Sequence, residues 1–202
     1  MRYMHRVASS WWRHAVAAGL VSLAGQAFAA DTPGAAVAAP ATAAISPPSE
    51  VADAVSAVRL QGRGTLRFFG LMVYEARLWA GTGFTAERYE GHPFALELQY
   101  ARKLEGAAIA QRSIVEMRRS ESANDSQAES WQAAMIRAFP NIAPGDRLTG
   151  VHVPGEATRF FHNGRPTSAV ADPTFARAFF GIWLAASTSE PQLRRQLIGP
   201  GS

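Results

Sequence analysis

The 202-residue chain contains no cysteine, which excludes thiol catalysis, thiolate metal sites and disulfide bonds. It has 20 Lys and Arg residues against 16 Asp and Glu, but Arg2, Arg6 and Arg13 belong to a leader-like segment. Without those three, 17 basic residues face 16 acidic ones, and this balance gives no indication of nucleic-acid binding.

The first 29 residues have the pattern of a secretory signal peptide. Positive charges precede a short apolar run over residues 15–25, and Ala27-Phe28-Ala29 forms an A-x-A cleavage site. The run is about half of the roughly 20 apolar residues that a transmembrane helix needs, and no other stretch is long enough either. We therefore expect cleavage after Ala29 (or, as the alternative, Ala30), export to a bacterial periplasm, and no transmembrane segment in the mature protein.

Residues 30–57 are rich in Ala, Pro, Thr and Ser, and large apolar side chains are almost absent before Val51. Such a segment cannot bury enough apolar surface to offset the conformational entropy that folding removes. We therefore predict a disordered linker over residues 30–57 and one folded domain over residues 58–199.

Strand patterns open the predicted domain. Residues 66–79 are rich in aromatic and branched side chains and are interrupted by Gly70. Residues 94–100 alternate between apolar and polar side chains, which predicts a half-buried strand.

Two helical patterns follow these strands. Apolar residues at positions 104, 107, 110, 114 and 117 fall on one face at helical spacing. Ser126-x-x-Glu129 has the form of a capping box and precedes a second apolar stripe that begins at Trp131.

Three short strand patterns then form a predicted meander over residues 148–153, 157–161 and 166–170. Pro154-Gly155 marks the first turn, and Asn163-Gly164 is typical of a two-residue hairpin.

The last helices have clear start and stop signals. Asp172 precedes a proline at the first helical position of a stripe that contains Phe175, Phe179 and Ile182. Ser189-x-x-Gln192 is the predicted start of a short final helix, which Gly199 can end. Strands, two helices, strands and two helices predict an α+β fold rather than the strict alternation of a parallel α/β sheet.

Common catalytic and cofactor motifs are missing from the sequence: there is no G-x-S-x-G, P-loop or H-E-x-x-H. His92, His152 and His162 are isolated from one another, so we predict no metal site. Glu75 and Glu97 alternate with apolar neighbours, which favours the solvated face of a sheet over a role as buried acids.

Four groups of residues carry a family resemblance. They are Gly62-x-Gly64-x-x-Arg67 with residues 69–79; residues 96–100 with Glu116-Met117; Phe139-Pro140 with Pro144-Gly145-Asp146; and residues 175–184 with Leu193-Arg194-x-x-Leu197. Together they span residues 58–199, and in order and spacing they resemble the bacterial chalcone isomerase-like family.

The resemblance implies an open-faced β-sandwich, in which helices cover a curved antiparallel sheet and a ligand pocket lies between the layers. In the plant isomerases, an arginine after a Gly-x-Gly element and a threonine on the next strand line the substrate site. In fatty-acid-binding relatives a tyrosine replaces the threonine, and the arginine and tyrosine hold a carboxylate. Matching the segments places this arginine at Arg67 and the tyrosine at Tyr74.

The isomerases also use a tyrosine and an asparagine on the first helix, and these positions fall here at Ile109 and Glu116. Neither residue can do the same work, which argues against isomerase activity. We therefore expect a non-catalytic binding protein for a small hydrophobic carboxylate, with the charged fork of Arg67 and the phenol of Tyr74 at its polar end.

Two other functions stay open. One is an isomerase or intramolecular lyase for an unsaturated or phenolic small molecule, with Tyr74 as general acid or water-positioning group. The other is a ligand-free scaffold, in which side chains fill the gap between sheet and helices.

The geometry of the proposed pair also leaves alternatives. Residues seven apart on a straight strand point to opposite faces, so Arg67 and Tyr74 can meet only across a bend at Gly70 or from adjacent strands. Otherwise Arg67 is a surface residue and Tyr74 a core aromatic. Arg102 and Lys103 are further candidates at a pocket mouth, and we expect Trp183 to pack in the core.

Overall fold

The computed structural model describes residues 45–120 and 123–199. The predicted signal peptide lies outside these residues, as does the predicted linker before residue 45. None of the helices within the described ranges is both long and apolar enough to cross a membrane.

Six antiparallel strands form one open sheet in which spatial order follows chain order. They are β1 (Arg59–Phe68), β2 (Leu71–Ala80), β3 (Phe94–Tyr100), β4 (Arg147–His152), β5 (Thr158–His162) and β6 (Arg165–Val170). Neighbouring antiparallel strands need only a short reversal of the chain, and the helices lie in the longer connections. The predicted α+β fold and the predicted meander are both confirmed.

Two hairpins turn through residue pairs with nearly identical backbone angles. The φ angles are 48° and 77° at Phe69 and Gly70 in the β1–β2 turn, and 51° and 81° at Asn163 and Gly164 in the β5–β6 turn. Two successive positive φ angles match the right-handed twist of the flanking strands. The predicted strand over residues 66–79 is therefore the end of one strand, a two-residue turn and a second strand.

Four helices contribute to the main core beside the sheet: α2 (Gly106–Ser120), α3 (Asp125–Ala138), α4 (Pro173–Leu184) and α5 (Pro191–Ile198). A shorter helix, α1 (Ser49–Ala52), precedes β1, and a 3-10 segment (Ala86–Gly91) lies between β2 and β3. Asp172 caps α4 as predicted, because its Oδ1 accepts the backbone N–H groups of Thr174 and Phe175.

Two predicted helix starts are wrong. The capping box of α3 is formed by Asn124 and Gln127, two residues before the predicted Ser126-x-x-Glu129. Asparagine is as good an N-cap as serine, so the earlier pair, Asn124 and Gln127, caps the N-terminus of α3. In the last helix, Pro191 occupies the first turn and the Ser189 hydroxyl donates to a distant carboxylate instead of capping.

The main core lies between the sheet and the helices and is dominated by aromatic rings. Phe94 on β3 meets Phe180 on α4 with ring centroids 4.7 Å apart. Phe175 and Phe179, one turn apart on α4, stack at 5.6 Å. Burying each such side chain contributes roughly 1.5–3 kcal/mol to folding, so this interface holds the helix layer on the sheet.

The Gly-x-Gly element of β1 is a packing site for α5. A Cβ atom at Gly62 would collide with the backbone carbonyl oxygens of Gln196 and Leu197. A Cβ atom at Gly64 would collide with the side chains of Gln196 and Leu193. The two glycines therefore let the last helix lie directly on the strand.

A second apolar cluster joins the residues before β1 to the sheet. Val51 and Val55 are fully buried against Trp79, Ala95 and Val151. Strand neighbours of these sheet residues (Leu78, Leu96) belong to the main core, so the second cluster lies on the other face. The predicted linker boundary at residue 57 is therefore wrong, because Val51 and Val55 lie within this buried cluster.

Glu97 also lies on the second face, but the expectation that it is solvated is wrong. Its buried carboxylate accepts hydrogen bonds from Arg77 at 2.8 Å and from the indole N–H of Trp79 at 2.7 Å. Glu75 is half-buried and pairs with the same arginine at 2.6 Å. The chain around Val51 covers this region, which the strand pattern alone does not reveal.

Glu50 on α1 extends the same polar network. Its Oε1 accepts hydrogen bonds from Arg147 Nη2 at 2.9 Å and from the Thr149 hydroxyl at 3.1 Å. A buried carboxylate needs such partners to stay ionised. The segment around Val51 is therefore attached to the sheet by charge pairing as well as by apolar contacts.

Val51→Ala tests the inclusion of this segment in the fold. Removing two fully buried methyl groups is expected to lower the free energy of unfolding by about 2 kcal/mol, measured by urea denaturation. The control Asp53→Ala changes an exposed side chain and should leave stability unchanged. Equal midpoints for Val51→Ala and the parent protein would mean that the segment does not pack.

Candidate functional site

Tyr74 is the one predicted site residue that lies inside the main core. It is on β2, where it is opposite Leu66 of β1 and Tyr100 of β3. Its ring meets that of Tyr100 edge to face, with centroids 5.5 Å apart. The phenol therefore stands on the helix-facing side of the sheet, within an apolar layer.

Trp183 supplies a hydrogen-bond partner to this phenol. Its indole N–H donates to the Tyr74 oxygen at 2.9 Å, and both side chains are buried. Trp183 continues the ring stripe of α4, with its centroid 5.4 Å from that of Phe179. The predicted core packing of Trp183 is confirmed; the bond to Tyr74 was missed, although a buried indole N–H usually requires an acceptor.

Burial raises the pKa of Tyr74 far above its ordinary value, because the phenolate would lose its solvation. The Trp183 hydrogen bond opposes the shift, Glu190 and Glu116 add to it, and Arg112 opposes it. Burial raises the pKa of Tyr100 in the same way, with a smaller contribution from Tyr74. Both phenols therefore keep their protons at physiological pH.

The Tyr74 hydroxyl can donate as well as accept. A phenol carries one proton and accepts through its oxygen lone pairs. In the hydrogen bonds found within the described ranges, Tyr74 is an acceptor from Trp183 and donates to no group. Its proton is thus a neutral donor that a ligand oxygen can use.

A charged cluster borders this phenol on α2. The buried Glu116 carboxylate is paired with Arg112 through one oxygen and with Arg119 Nε at 3.1 Å through the other. The Ser189 hydroxyl, in the loop before α5, donates to the same carboxylate at 2.8 Å. Glu116 thus joins α2 to the α4–α5 loop.

Glu190, next to Ser189, is sensitive to the same cluster. Loss of solvation raises the pKa of the Glu190 carboxyl above its usual value, and repulsion from Glu116 raises it further. Arg112 acts in the opposite direction. The region beside Tyr74 therefore holds two carboxylates and an arginine that influence one another.

Arg67, the other predicted site residue, lies at the β1–β2 hairpin. Its exposed side chain donates to the Gly70 carbonyl at 3.3 Å. Arg67 and Tyr74 do lie on adjacent strands, but the residue opposite Tyr74 is Leu66, and Arg67 is opposite Met72 across a register shift. The charged groups that act on the Tyr74 phenol are Glu190, Glu116 and Arg112. The structure does not bring the guanidinium to the phenol, and joint ligand binding by the two stays a prediction.

The remaining sequence candidates lie on α2 and in the loop after β3. Ile109 on α2 is half-buried against the main core, and Glu116 is placed as described above. Arg102 is half-buried and Lys103 exposed in the loop after β3. The Ala101 N–H of that loop donates to the Val73 carbonyl at 2.9 Å, which ties the loop to β2.

A separate cleft of about 260 Å³ lies beside the 3-10 segment and the start of α4. Its lining includes Glu90, His152, Glu156 and Arg177. The His152 Nε2 is 2.9 Å from the Glu90 carbonyl oxygen, so this nitrogen is the donor. Sequence reasoning did not predict this cleft.

The other histidines have local partners. His92 Nε2 is 3.4 Å from the Thr85 hydroxyl, and His162 Nε2 is 3.3 Å from an oxygen of Asp146. The backbone N–H of Ala143 is the main cause of a lowered pKa at Asp146. Across the described ranges, three or more His, Asp and Glu side chains never gather closely enough to hold a metal ion.

Comparison with known proteins places this arrangement in context. A family model described as chalcone isomerase-like matches residues 39–199. An uncharacterized protein of Haemophilus influenzae is 32% identical over 127 residues, which cover 63% of this chain and 61% of that protein. The crystal structure of a fatty-acid binding protein from Arabidopsis thaliana superposes with a TM-score of 0.54 at 14% identity, covering 71% of this chain and 87% of that one. At this identity the superposition shows a shared fold.

A double-mutant cycle tests the Tyr74–Trp183 bond. Tyr74→Phe leaves a buried indole N–H without an acceptor and is expected to lower the free energy of unfolding by about 1–3 kcal/mol. Trp183→Phe removes the donor together with part of a buried ring. In the double mutant the unpaired N–H is gone, so the two losses should fall short of additive by about 1 kcal/mol in urea denaturation. Strict additivity would contradict the bond.

Proposed function

The chain belongs to the chalcone isomerase-like family, and from that premise we propose that it is an exported, non-catalytic binding protein for a hydrophobic carboxylate such as a fatty acid. The observation that carries the proposal is the buried, protonated hydroxyl of Tyr74, whose proton is not donated to any group in the described ranges. A neutral donor in an apolar layer suits the polar end of an amphipathic ligand.

The surroundings of Tyr74 support an acyl chain as the remainder of the ligand. Half-buried apolar side chains on β1 and α2 pack against the main core that contains Tyr74, among them Leu66, Phe68 and Ile109. Leu66 lies directly opposite Tyr74. An acyl chain that inserts among these side chains exchanges apolar contacts between them for apolar contacts with the chain. Its carboxylate then reaches the Tyr74 phenol.

The carboxylate also needs a positive partner, because a buried ionised group must be paired. Arg112 is better supported than Arg67 for this role, since it is among the charges that act on the Tyr74 phenol. Glu116 is paired with both Arg112 and Arg119. Arg112 can therefore turn to a ligand while Arg119 still compensates the buried Glu116 carboxylate.

The absence of catalysis in this proposal follows from the same residues. A general acid works best with a pKa near the operating pH, and burial moves that of Tyr74 far above it. Ile109 and Glu116 occupy the positions that the resemblance assigns to the isomerase tyrosine and asparagine. A salt-bridged carboxylate and an aliphatic side chain supply neither of those donors.

Two further parts of the proposal have their own support. Export is inferred from the residue pattern over 1–29. The fatty-acid class is suggested by the Arabidopsis protein of the same fold, which is a fatty-acid binding protein.

Native mass spectrometry with added palmitate tests the proposal. We expect one bound palmitate per chain, and Tyr74→Phe should weaken binding about tenfold or more, because a hydrogen bond to a charged group contributes about 1.5–3 kcal/mol. Tyr89→Phe is the matched control: the Tyr89 hydroxyl donates to the Arg177 carbonyl near the separate cleft.

The arginine variants assign the cation. Weaker binding in Arg112→Ala with unchanged binding in Arg67→Ala supports the partner favoured here; the opposite result restores the pair predicted from the resemblance. A protein that takes up no palmitate contradicts the proposed function. Turnover of a chalcone by the parent protein, lost in Tyr74→Phe, would instead support the isomerase.

A further inference from the structure

The tip of the β1–β2 hairpin exposes large apolar side chains to solvent. Phe69 is 89% exposed and Leu71 is 52% exposed, the two highest values for large apolar residues in the described ranges. The Phe69 ring contacts that of Phe68 at its base, with centroids 4.5 Å apart. The tip is therefore a protruding apolar point rather than a groove.

The turn itself does not require a phenylalanine. Phe69 has a φ angle of 48°, a left-handed conformation that is costly for a bulky residue. The β5–β6 turn has the same geometry and uses asparagine, at a φ of 51°, followed by glycine. Asn-Gly is the preferred pair for such turns. A phenyl group that is both conformationally unfavourable and exposed points to a role outside the folded domain.

Positive charges accompany the exposed tip. Arg67 is exposed and donates to the Gly70 carbonyl, which holds its guanidinium beside the turn. The loop with Arg102 and Lys103 is tied to Val73 by the Ala101 N–H. Val73 is three residues beyond Gly70, about 10 Å along the strand. Residues 66–74 and 100–105 together contain three cations and one carboxylate, that of Glu105.

We propose that the β1–β2 hairpin docks the protein on an anionic lipid surface, with Phe69 and Leu71 in the interface and Arg67, Arg102 and Lys103 against the headgroups. An aromatic and an aliphatic side chain with cations around them suit the boundary between headgroups and acyl chains. Anionic headgroups attract basic residues that lie within about a Debye length of the surface, roughly 10 Å.

A lipid surface fits the tip better than a protein partner does. A stable protein interface buries roughly 800 Å² on each side, and a convex two-residue turn offers far less than this. A fluid bilayer can close around a small protrusion without a complementary surface. The proposal does not depend on ligand binding at Tyr74, although Tyr74 on β2 is only four residues beyond Gly70 of the turn.

Vesicle flotation with the protein purified after expression of the full chain tests the proposal. We expect binding to phosphatidylcholine vesicles that contain 30% phosphatidylglycerol (about a third anionic lipid, enough to set up a negative surface potential). Phe69→Asn should lower the bound fraction about tenfold while Tm stays equal or rises, because Asn-Gly suits the turn better. A Tm at or above that of the parent excludes unfolding as the cause of lost binding.

Two further variants complete the test. Arg102→Ala with Lys103→Ala should lower binding to the anionic vesicles roughly tenfold and leave the weak binding to pure phosphatidylcholine unchanged. Val115→Ser removes another exposed apolar side chain, on α2, and should bind like the parent. Unchanged vesicle binding in Phe69→Asn overturns the proposal. A second result also overturns it: the parent protein is a dimer in size-exclusion chromatography, and Phe69→Asn abolishes the dimer without changing vesicle binding. The tip would then contact protein.

Discussion

A hydrogen bond between two buried side chains links the sheet to the helix layer within the aromatic core and lies at the candidate site. The Trp183 indole N–H on α4 donates to the Tyr74 phenol oxygen on β2, among side chains that are mostly apolar. The bond fixes the helix relative to the strand, and it leaves the phenol proton for another oxygen. Because burial keeps that proton in place, the phenol can act as the neutral hydrogen-bond donor that the proposed ligand binding requires.

Different interactions stabilise the two faces of the sheet. The helix-facing side is an aromatic core in which Phe180 contacts both Phe94 and Phe179. The other side pairs buried carboxylates with arginines and is covered in part by the segment around Val51. The most exposed large apolar side chain of β1, β2 and their hairpin is Phe69, at the hairpin tip.

Local patterns predicted most of the elements, because periodicity, turn pairs and N-caps act within a few residues. Asn163-Gly164 and Asp172 are examples in which the sequence signal and the structure agree. Features that depend on distant contacts were missed. The burial of Glu97 requires the covering segment near Val51, and the identity of the residue opposite Tyr74 depends on a strand register that a one-residue slip would change. Whether Arg67 lies opposite Tyr74 could be decided only from that register.

A crystal structure of the protein with bound palmitate is the most direct test of ligand binding at Tyr74. We expect a carboxylate oxygen within about 2.5–3.0 Å of the Tyr74 hydroxyl, with the acyl chain between β1 and α2 and the Trp183 bond retained. A palmitate whose carboxylate lies elsewhere, at the Arg67 hairpin or in the cleft beside His152, would contradict the claim that Tyr74 is the polar end of the site.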